Sequence, residues 1–322
     1  MKRIFITVFS LLILIELFSL SYLDSEYQQP FFLNSNFKKV EKNNFIFDEV
    51  DPLLGWSYSE EEYKKTNTPT INNSVLLEFK EGITEKKLDI LITGGSTSDM
   101  LLNKLNWPHY FHEILKEKKI NHRLIVAAVG GYSSGQEVLK ILRDYLPQRP
   151  TIHISYNGAN ECFNSSYVSL FEQNIFSNLL NESSFFLPNT VFLLRRKIFN
   201  QPSLKPESIE HPSDYWIKNL KVMQSISNAF DYYFISFLQP VNGINGRKDA
   251  KIDNYKEHFE CYETFYALAK KEVNNNHSVN IKDLSAIFQN IKEEVFVDDC
   301  HIKDQYQEII AQEIYNQIKT AL

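Results

Sequence analysis

The chain has 322 residues, 43% hydrophobic and 23% charged, an ordinary balance for a globular protein with room for one large domain and a small appendage. Its 34 basic residues against 40 acidic ones leave a net charge of −6, so the electrostatic footprint of a nucleic-acid-binding protein is absent. No stretch repeats at a fixed period, and no segment is low in complexity.

The first 24 residues read as a targeting segment. Lys2 and Arg3 precede the apolar run IFITVFSLLILIELFSLSYL, interrupted once by Glu16. Ile4 to Leu23 is long enough to span a bilayer, and no Ala-x-Ala-like cleavage site follows. Residues 1–24 are therefore read as an uncleaved signal anchor in preference to a removed signal peptide. Glu16 opposes that reading by a few kcal/mol. The positive-inside rule puts the chain from Asp24 onward outside the cytoplasm.

Residues 25–85 are polar and aromatic and read as a linker with a small strand-containing flap. Pro52 and Gly55 punctuate a turn, and Val75 to Phe79 is an edge-strand candidate. From residue 86 to 322 the pattern changes to strand alternating with helix. KLDILIT (87–93), RLIVAAV (123–129), TIHISY (151–156) and YYFISFL (232–238) read as buried strands. Helices are predicted over 107–118, 135–146, 256–272 and 304–322, with a longer helical region before the fourth strand. Such alternation predicts an α/β fold with a parallel sheet covered on both faces.

In parallel sheets the functional loops lie at the carboxyl ends of the strands. GGSTS follows the first strand, GGYSSG (130–135) the second and NGANE (157–161) the third, so three glycine-bearing loops gather on one edge. Near the C-terminus, VFVDDCHIKDQ (295–305) places Asp298 three residues before His301, a spacing that lets both side chains share one side of a turn. The carboxylate can accept the Nδ1 proton and leave Nε2 as a base. Asp299 is the rival orienter, but adjacency points it away from His301. A serine hydroxyl needs such a base, and Ser96 is the candidate nucleophile. Candidate oxyanion donors are the Ser96 and Gly131 backbone N–H groups and the Asn160 side-chain amide, one from each glycine loop.

GGST (94–97), GGYSS (130–134), GANE (158–161) and DDCH (298–301) resemble, in order, the four blocks of the SGNH, or GDSL-like, hydrolases. The resemblance implies a flavodoxin-like three-layer α/β/α fold and a serine esterase or acyl-transfer mechanism without metal or organic cofactor. By position, Ser96 matches the nucleophile, Gly131 the second-block glycine, Asn160 the third-block asparagine, and Asp298 with His301 the Asp-x-x-His pair. Gly95 stands where the family usually has Asp, and Glu161 where Asp is commoner. The leader and DPLLGW also look like membrane-anchored bacterial members associated with surface polysaccharides. An acyl ester, acetyl foremost, on a carbohydrate is the implied substrate. An O-acyltransferase using the same site, and a non-catalytic surface assembly protein of this fold, are the alternatives.

Other features read as structural. Ser98, Ser133 and Ser134 do not directly follow the first glycine pair. His109 and His112 have metal-compatible spacing but no third ligand, and GINGRK (243–248) lacks the ending of a phosphate loop. The α/β-hydrolase architecture is rejected because Gly-x-Ser-x-Gly is missing. FFLPNTVFLLRRKIF (185–199) reads as a packed helix with a solvated basic end, or else a lid or headgroup-facing surface. The three cysteines allow one disulfide, with its pairing unreadable from sequence; Cys300 is expected to pack against or pair with Cys162.

Overall fold

The computed structural model describes residues 51–163 and 211–322, apart from 52–53, 55, 66–67, 82–86, 147–148, 247–248, 250–255 and 276–277. The leader (1–24) and the segment 185–199 lie outside the described residues. Among those described, no helix is long and apolar enough to cross a membrane. The chain divides into two units, and the larger, residues 57–166 and 210–322, carries the sheet, its helices and the candidate site.

Six strands make one sheet: β1 (Val75–Phe79), β2 (Leu88–Gly94), β3 (His122–Val126), β4 (Ile152–Asn157), β5 (Tyr233–Leu238) and β6 (Ile281–Asp283), in the order β1-β3-β2-β4-β5-β6. The last five pair in parallel. The expected edge strand β1 joins them antiparallel, with Val75 opposite Val126 and Phe79 opposite His122. The sheet is therefore mixed rather than wholly parallel. An antiparallel strand caps an edge without a crossover helix. β6 was not foreseen, because three residues are too few to show a strand pattern.

Helices α1 (Glu60–Lys65), α2 (Trp107–Glu117), α3 (Ser134–Lys140), α4 (Asn160–Phe163), α5 (Pro212–Phe230), α6 (Lys256–Asn275) and α7 (Gln307–Ile318) complete the described structure. The helix expected over 135–146 is α-helical to Lys140 and continues as a wider π turn over Ile141–Tyr145. α5 opens with Pro212, preset for a first turn, and the His211 ring accepts the Ser213 N–H at 3.2 Å. It stops at Asp231, whose left-handed backbone (φ 57°) turns the chain into β5.

The two faces of the sheet follow from strand alternation. Leu91, Ile125, Phe234 and Leu238 pack with Trp216, Leu220 and Phe265 from α5 and α6. On the other face Tyr156 meets the Trp107 ring of α2, which itself packs against α7. All six residues of β4 are buried, as a strand covered on both sides requires.

Setting β1 aside, the chain places its first parallel strand, β2, between the second and third, β3 and β4. That order is flavodoxin-like, and its switch point lies at the carboxyl ends of these neighbouring strands. The loops after Gly94, Val126 and Asn157 all open there.

The disulfide joins Cys162 of α4 to Cys261 of α6, at a sequence separation of 99. Of the two expectations for Cys300, packing against or pairing with Cys162, this overturns the pairing. Cys300 remains a buried thiol, although it shares the apolar cluster that contains Cys162.

Candidate active site

β2 ends at Gly94, and the chain turns at once. Ser98 N–H donates to Gly95 O at 3.0 Å and Asp99 N–H to Ser96 O at 3.3 Å, so Ser96 sits on a tight turn over the sheet edge. Gly95 is required by close approach. A Cβ there would fall 2.1 Å from Asn160 Nδ2, well inside any real contact. The position where the resembled family usually carries Asp is thus filled, in this chain, by the amide of the third block.

The loop after β6 arrives from the far edge of the sheet. Phe296 and Ile302 pair across it, Val297 N–H donates to His301 O at 2.8 Å, and Asn242 holds the Asp298 and Asp299 carbonyls. At its tip Asp298 Oδ1 accepts the N–H groups of Cys300 (3.0 Å) and His301 (2.7 Å). This is the local turn in which Asp side chains substitute for backbone acceptors. Oδ2 is left for His301 Nδ1, 2.7 Å away, and His301 Nε2 then lies 2.7 Å from Ser96 Oγ. With Nδ1 on a carboxylate, the network assigns the proton there and leaves Nε2 as acceptor for the serine hydroxyl.

Electrostatics follow the same geometry. Burial works against a charged His301, but the hydrogen bond and charge of Asp298, with the charge of Asp299, lift its pKa above the ordinary imidazole value. For Asp298 burial pulls upward, and the contacts with His301 and the Cys300 N–H outweigh it, leaving the carboxyl below its usual range. Asp299 is raised, by burial first and the neighbouring Asp298 charge second, and accepts the Tyr262 hydroxyl at 3.0 Å. The rival orienter faces away from the imidazole, as its adjacency predicted.

Asn160 opens α4, and its Nδ2 donates to Tyr132 O at 2.8 Å while lying against Gly95. The third-block amide therefore bridges the nucleophile turn and the second glycine loop. Gly131 takes a positive φ of 78° in that loop, a conformation glycine adopts without steric cost. The Ser96 N–H has no acceptor among the described residues. The competing serines are occupied elsewhere. Ser98 Oγ accepts the Trp107 indole N–H at 2.9 Å, Ser133 is the N-cap residue of α3, and Ser134 Oγ accepts the Asn219 amide at 3.0 Å.

Two buried carboxylates under these loops were not singled out from sequence. Asp99 accepts the Gly130 N–H (2.8 Å) and the Tyr58 hydroxyl (2.6 Å) on Oδ2, and the Leu101 N–H (2.8 Å) on Oδ1. It joins the nucleophile turn to the second glycine loop, and burial pushes its pKa up to about 6 against the pull of those donors. Glu137 of α3 accepts Thr93 Oγ1 (2.5 Å), Ser155 Oγ (2.6 Å) and Asn157 Nδ2 (2.8 Å). Burial raises it to about 7 despite these three donors. The only sequence sign of either was that Asp99 falls within three residues of Ser96.

His112 Nδ1 lies 2.8 Å from His122 Nε2, and His122 Nδ1 is 2.7 Å from Ile120 O, so His112 is engaged by another ring and does not pair with His109 around a metal. Among the described residues, Asp298, Cys300 and His301 form the one group with metal-compatible spacing. Their donors are committed otherwise: Nδ1 is bonded to Asp298, and burial holds the Cys300 thiol well above its usual range. GINGRK is described only through Gly246, and Ile244–Gly246 makes a single short turn.

No protein-family model matches the sequence, and no curated protein matches it either. Similar folds occur among solved structures. The acetyl xylan esterase AlAXEase is 14% identical, with 72% of this chain and 100% of that chain covered and a TM-score of 0.47. Axe2, an acetylxylan esterase from Geobacillus stearothermophilus, is 12% identical over 72% of this chain and 94% of its own, with a TM-score of 0.47. A GDSL-like lipase from Bacteroides thetaiotaomicron is 13% identical over 73% of this chain and 89% of its own, with a TM-score of 0.43. None of these likenesses is strong enough to assign a chemistry to this chain.

Proposed function

We propose that this chain is a serine esterase of SGNH type that hydrolyses acyl esters, acetyl foremost, borne on a carbohydrate. One observation carries the reading: the unbroken relay Ser96 Oγ, His301 Nε2, His301 Nδ1, Asp298 Oδ2, both links 2.7 Å long. Ser96 Oγ attacks the ester carbonyl carbon while His301 Nε2 takes its proton. The Ser96 and Gly131 N–H groups and the Asn160 amide receive the charge that develops on the carbonyl oxygen, each worth about 3 kcal/mol in such sites. His301 then returns the proton to the departing alcohol oxygen. In the second half the same imidazole deprotonates a water molecule that attacks the acyl-enzyme, and as the acyl–Oγ bond breaks and the acid leaves, His301 returns the proton to Ser96 Oγ. Asp298 holds the imidazole in the productive tautomer throughout. The ester class comes from the resemblance of the four sequence blocks.

The chain acts outside the cytoplasm, held by residues 1–24 as a membrane anchor. Two features support this: the positive-then-apolar leader, and the Cys162–Cys261 disulfide, since such bonds persist mainly in oxidising compartments.

The test is covalent labelling by a fluorophosphonate serine probe and, on separate unlabelled enzyme, incubation in water with an acetylated polysaccharide as acyl donor and an unacetylated one as acceptor. Labelling at Ser96 that vanishes in Ser96→Ala, with release of free acetate, supports the esterase. Acylated acceptor in excess over free acid makes the chain a transferase. A folded wild-type chain that neither labels nor releases acid is a non-catalytic member of the fold.

A further inference from the structure

Resting on that reading, we propose that Asn106 and Gln307 form a buried amide bridge that sets the spacing between Ser96 and His301. Asn106 stands at the N-terminal boundary of α2, where a side chain of its type ordinarily caps the helix. Here it makes no such bond. Its Nδ2 turns back and donates to Ser96 O at 3.1 Å and to Asp99 O at 2.7 Å, gripping the nucleophile turn at both ends. Its Oδ1 accepts from Gln307 Nε2 at 3.3 Å.

Gln307, the first residue of α7, completes the span. The same Nε2 donates to Ile302 O at 3.2 Å, one residue beyond the imidazole, and Oε1 accepts the Trp107 N–H at 3.1 Å. That last bond satisfies the N–H of the first residue of α2. Both side chains are only 3% exposed, and all four of their polar atoms are bonded. A two-amide chain therefore runs from the carbonyl of the nucleophile residue to the carbonyl next to the base.

Buried and fully satisfied polar chains of this kind fix one arrangement, because a slipped alternative strands several groups without partners. Besides the bridge and the exposed Asn103–Asp304 contact, the nucleophile turn and the His301 loop are joined by the Ser96–His301 bond itself. That bond must break and re-form in each turnover, so it cannot also be the brace. Neither residue touches the reacting atoms; both are positioning residues.

The experiment compares Asn106→Ala, Gln307→Leu, the more conservative Gln307→Glu and the double variant Asn106→Ala/Gln307→Leu, in the full chain. Asn103→Ala is the control, because Asn103 Nδ2 joins the same two segments to Asp304 Oδ1 (2.8 Å) on the exposed surface. Hydrolysis of p-nitrophenyl acetate and the rate of fluorophosphonate labelling are measured, with circular dichroism and crystal structures of each variant. Each bridge variant is expected to lose about 10- to 100-fold in kcat with KM nearly unchanged, since small misplacements of reacting groups cost about that much. The double variant should be little worse than the poorer single one, and the control should keep its kcat. Folded variants with wild-type kcat, or losses that simply multiply, overturn the bridge. If the wild type itself neither turns over nor labels, the esterase reading fails while the bridge is decided by the crystal structures. A Ser96–His301 separation opened beyond hydrogen-bond reach upholds it, and an unchanged one refutes it.

Discussion

His301 Nε2 lies 2.7 Å from Ser96 Oγ, although the two residues are 205 positions apart in the chain. The serine is delivered by the turn after β2, beside the switch point of the sheet, and the imidazole by a loop that follows the last strand. Asp298 makes the second delivery specific. One of its oxygens ties down the loop's own N–H groups and the other points the ring. A single carboxylate thus couples loop shape to ring orientation, which is why the acid sits three residues from the base and not beside it.

Asp298→Asn should separate those two duties. The asparagine oxygen still accepts the Cys300 and His301 N–H groups, so the loop keeps its form, but the amide cannot hold the Nδ1 proton. A fall in kcat on the order of 10³- to 10⁴-fold is expected, as for other triads deprived of their acid. Asp299→Asn, whose carboxylate meets Tyr262 instead, should lose less than about tenfold. Steady-state kinetics on the two variants decide the assignment, and equal losses would remove Asp298 from its role.

The pH profile should carry the same signature. His301 works as a base only when neutral, so kcat/KM must fall as pH drops through its pKa. Burial alone would move that acid limb downward, but Asp298 and Asp299 lift the pKa above the ordinary imidazole value, so the limb should lie above it. In Asp298→Asn the main lifting charge is gone and burial is less opposed, which should shift the limb to lower pH. A limb that stays in place in this variant would mean that another group controls the rate.

Much of this was legible in the sequence, and the exceptions have a common physical cause. The strands 87–93, 123–129, 151–156 and 232–238 announce themselves because burial on both sheet faces demands continuous apolar runs. The Asp298–His301 pairing is legible because it depends on local spacing. Contacts between distant residues left no such trace. Nothing in the sequence couples Asn106 to Gln307, or Cys162 to Cys261 rather than Cys300. Glu137 looked like one more polar residue in a helix, yet it is buried among donors from two strands. The antiparallel sense of β1 was equally hidden, because alternation shows a strand but not its direction.

Gly95→Ala tests whether the third-block amide needs the space it occupies. The new methyl would overlap Asn160 Nδ2, and the amide would have to leave both Gly95 and Tyr132 O. If that amide is an oxyanion donor, kcat should fall about 10²- to 10³-fold, the usual cost of losing one. Asn160→Ala should match it, and the combined variant should add little. Independent losses in the two variants would show that Gly95 matters for some other reason.

The disulfide should be worth more to stability than to chemistry. It closes a loop with a sequence separation of 99 residues, for which chain entropy suggests up to about 4.7 kcal/mol and measured bridges give about 2–4 kcal/mol. Cys162→Ser/Cys261→Ser should lower the unfolding free energy by that amount in denaturant titration. Activity should drop modestly as well, because Cys162 lies two residues beyond Asn160. Cys300→Ser should leave the cross-link intact. If it abolished the cross-link instead, the pairing would be wrong.

Glu137 offers the sharpest test of the scaffold beneath the loops. It sits on the helix that follows the Gly131 loop and accepts from Thr93, just before the Ser96 turn, and from Ser155 and Asn157, just before Asn160. One buried carboxylate therefore ties the helix after the Gly131 loop to the ends of β2 and β4, the strands that lead to Ser96 and Asn160. Glu137→Leu would remove one bond from each of three buried donors, Thr93 and Asn157 keeping His153 and Ser155 as partners, at about 1–3 kcal/mol per lost bond, so a loss of roughly 3–5 kcal/mol is expected after local relaxation. Glu137→Gln keeps one oxygen for the Asn157 amide and can turn its own amide toward the two hydroxyls, which are able to accept; its loss should stay near 1–2 kcal/mol. Equilibrium denaturation of both variants makes the comparison. Equal stabilities would mean that the network is not held by its acceptor, and that the strand ends are fixed by packing against Trp216 and its neighbours alone.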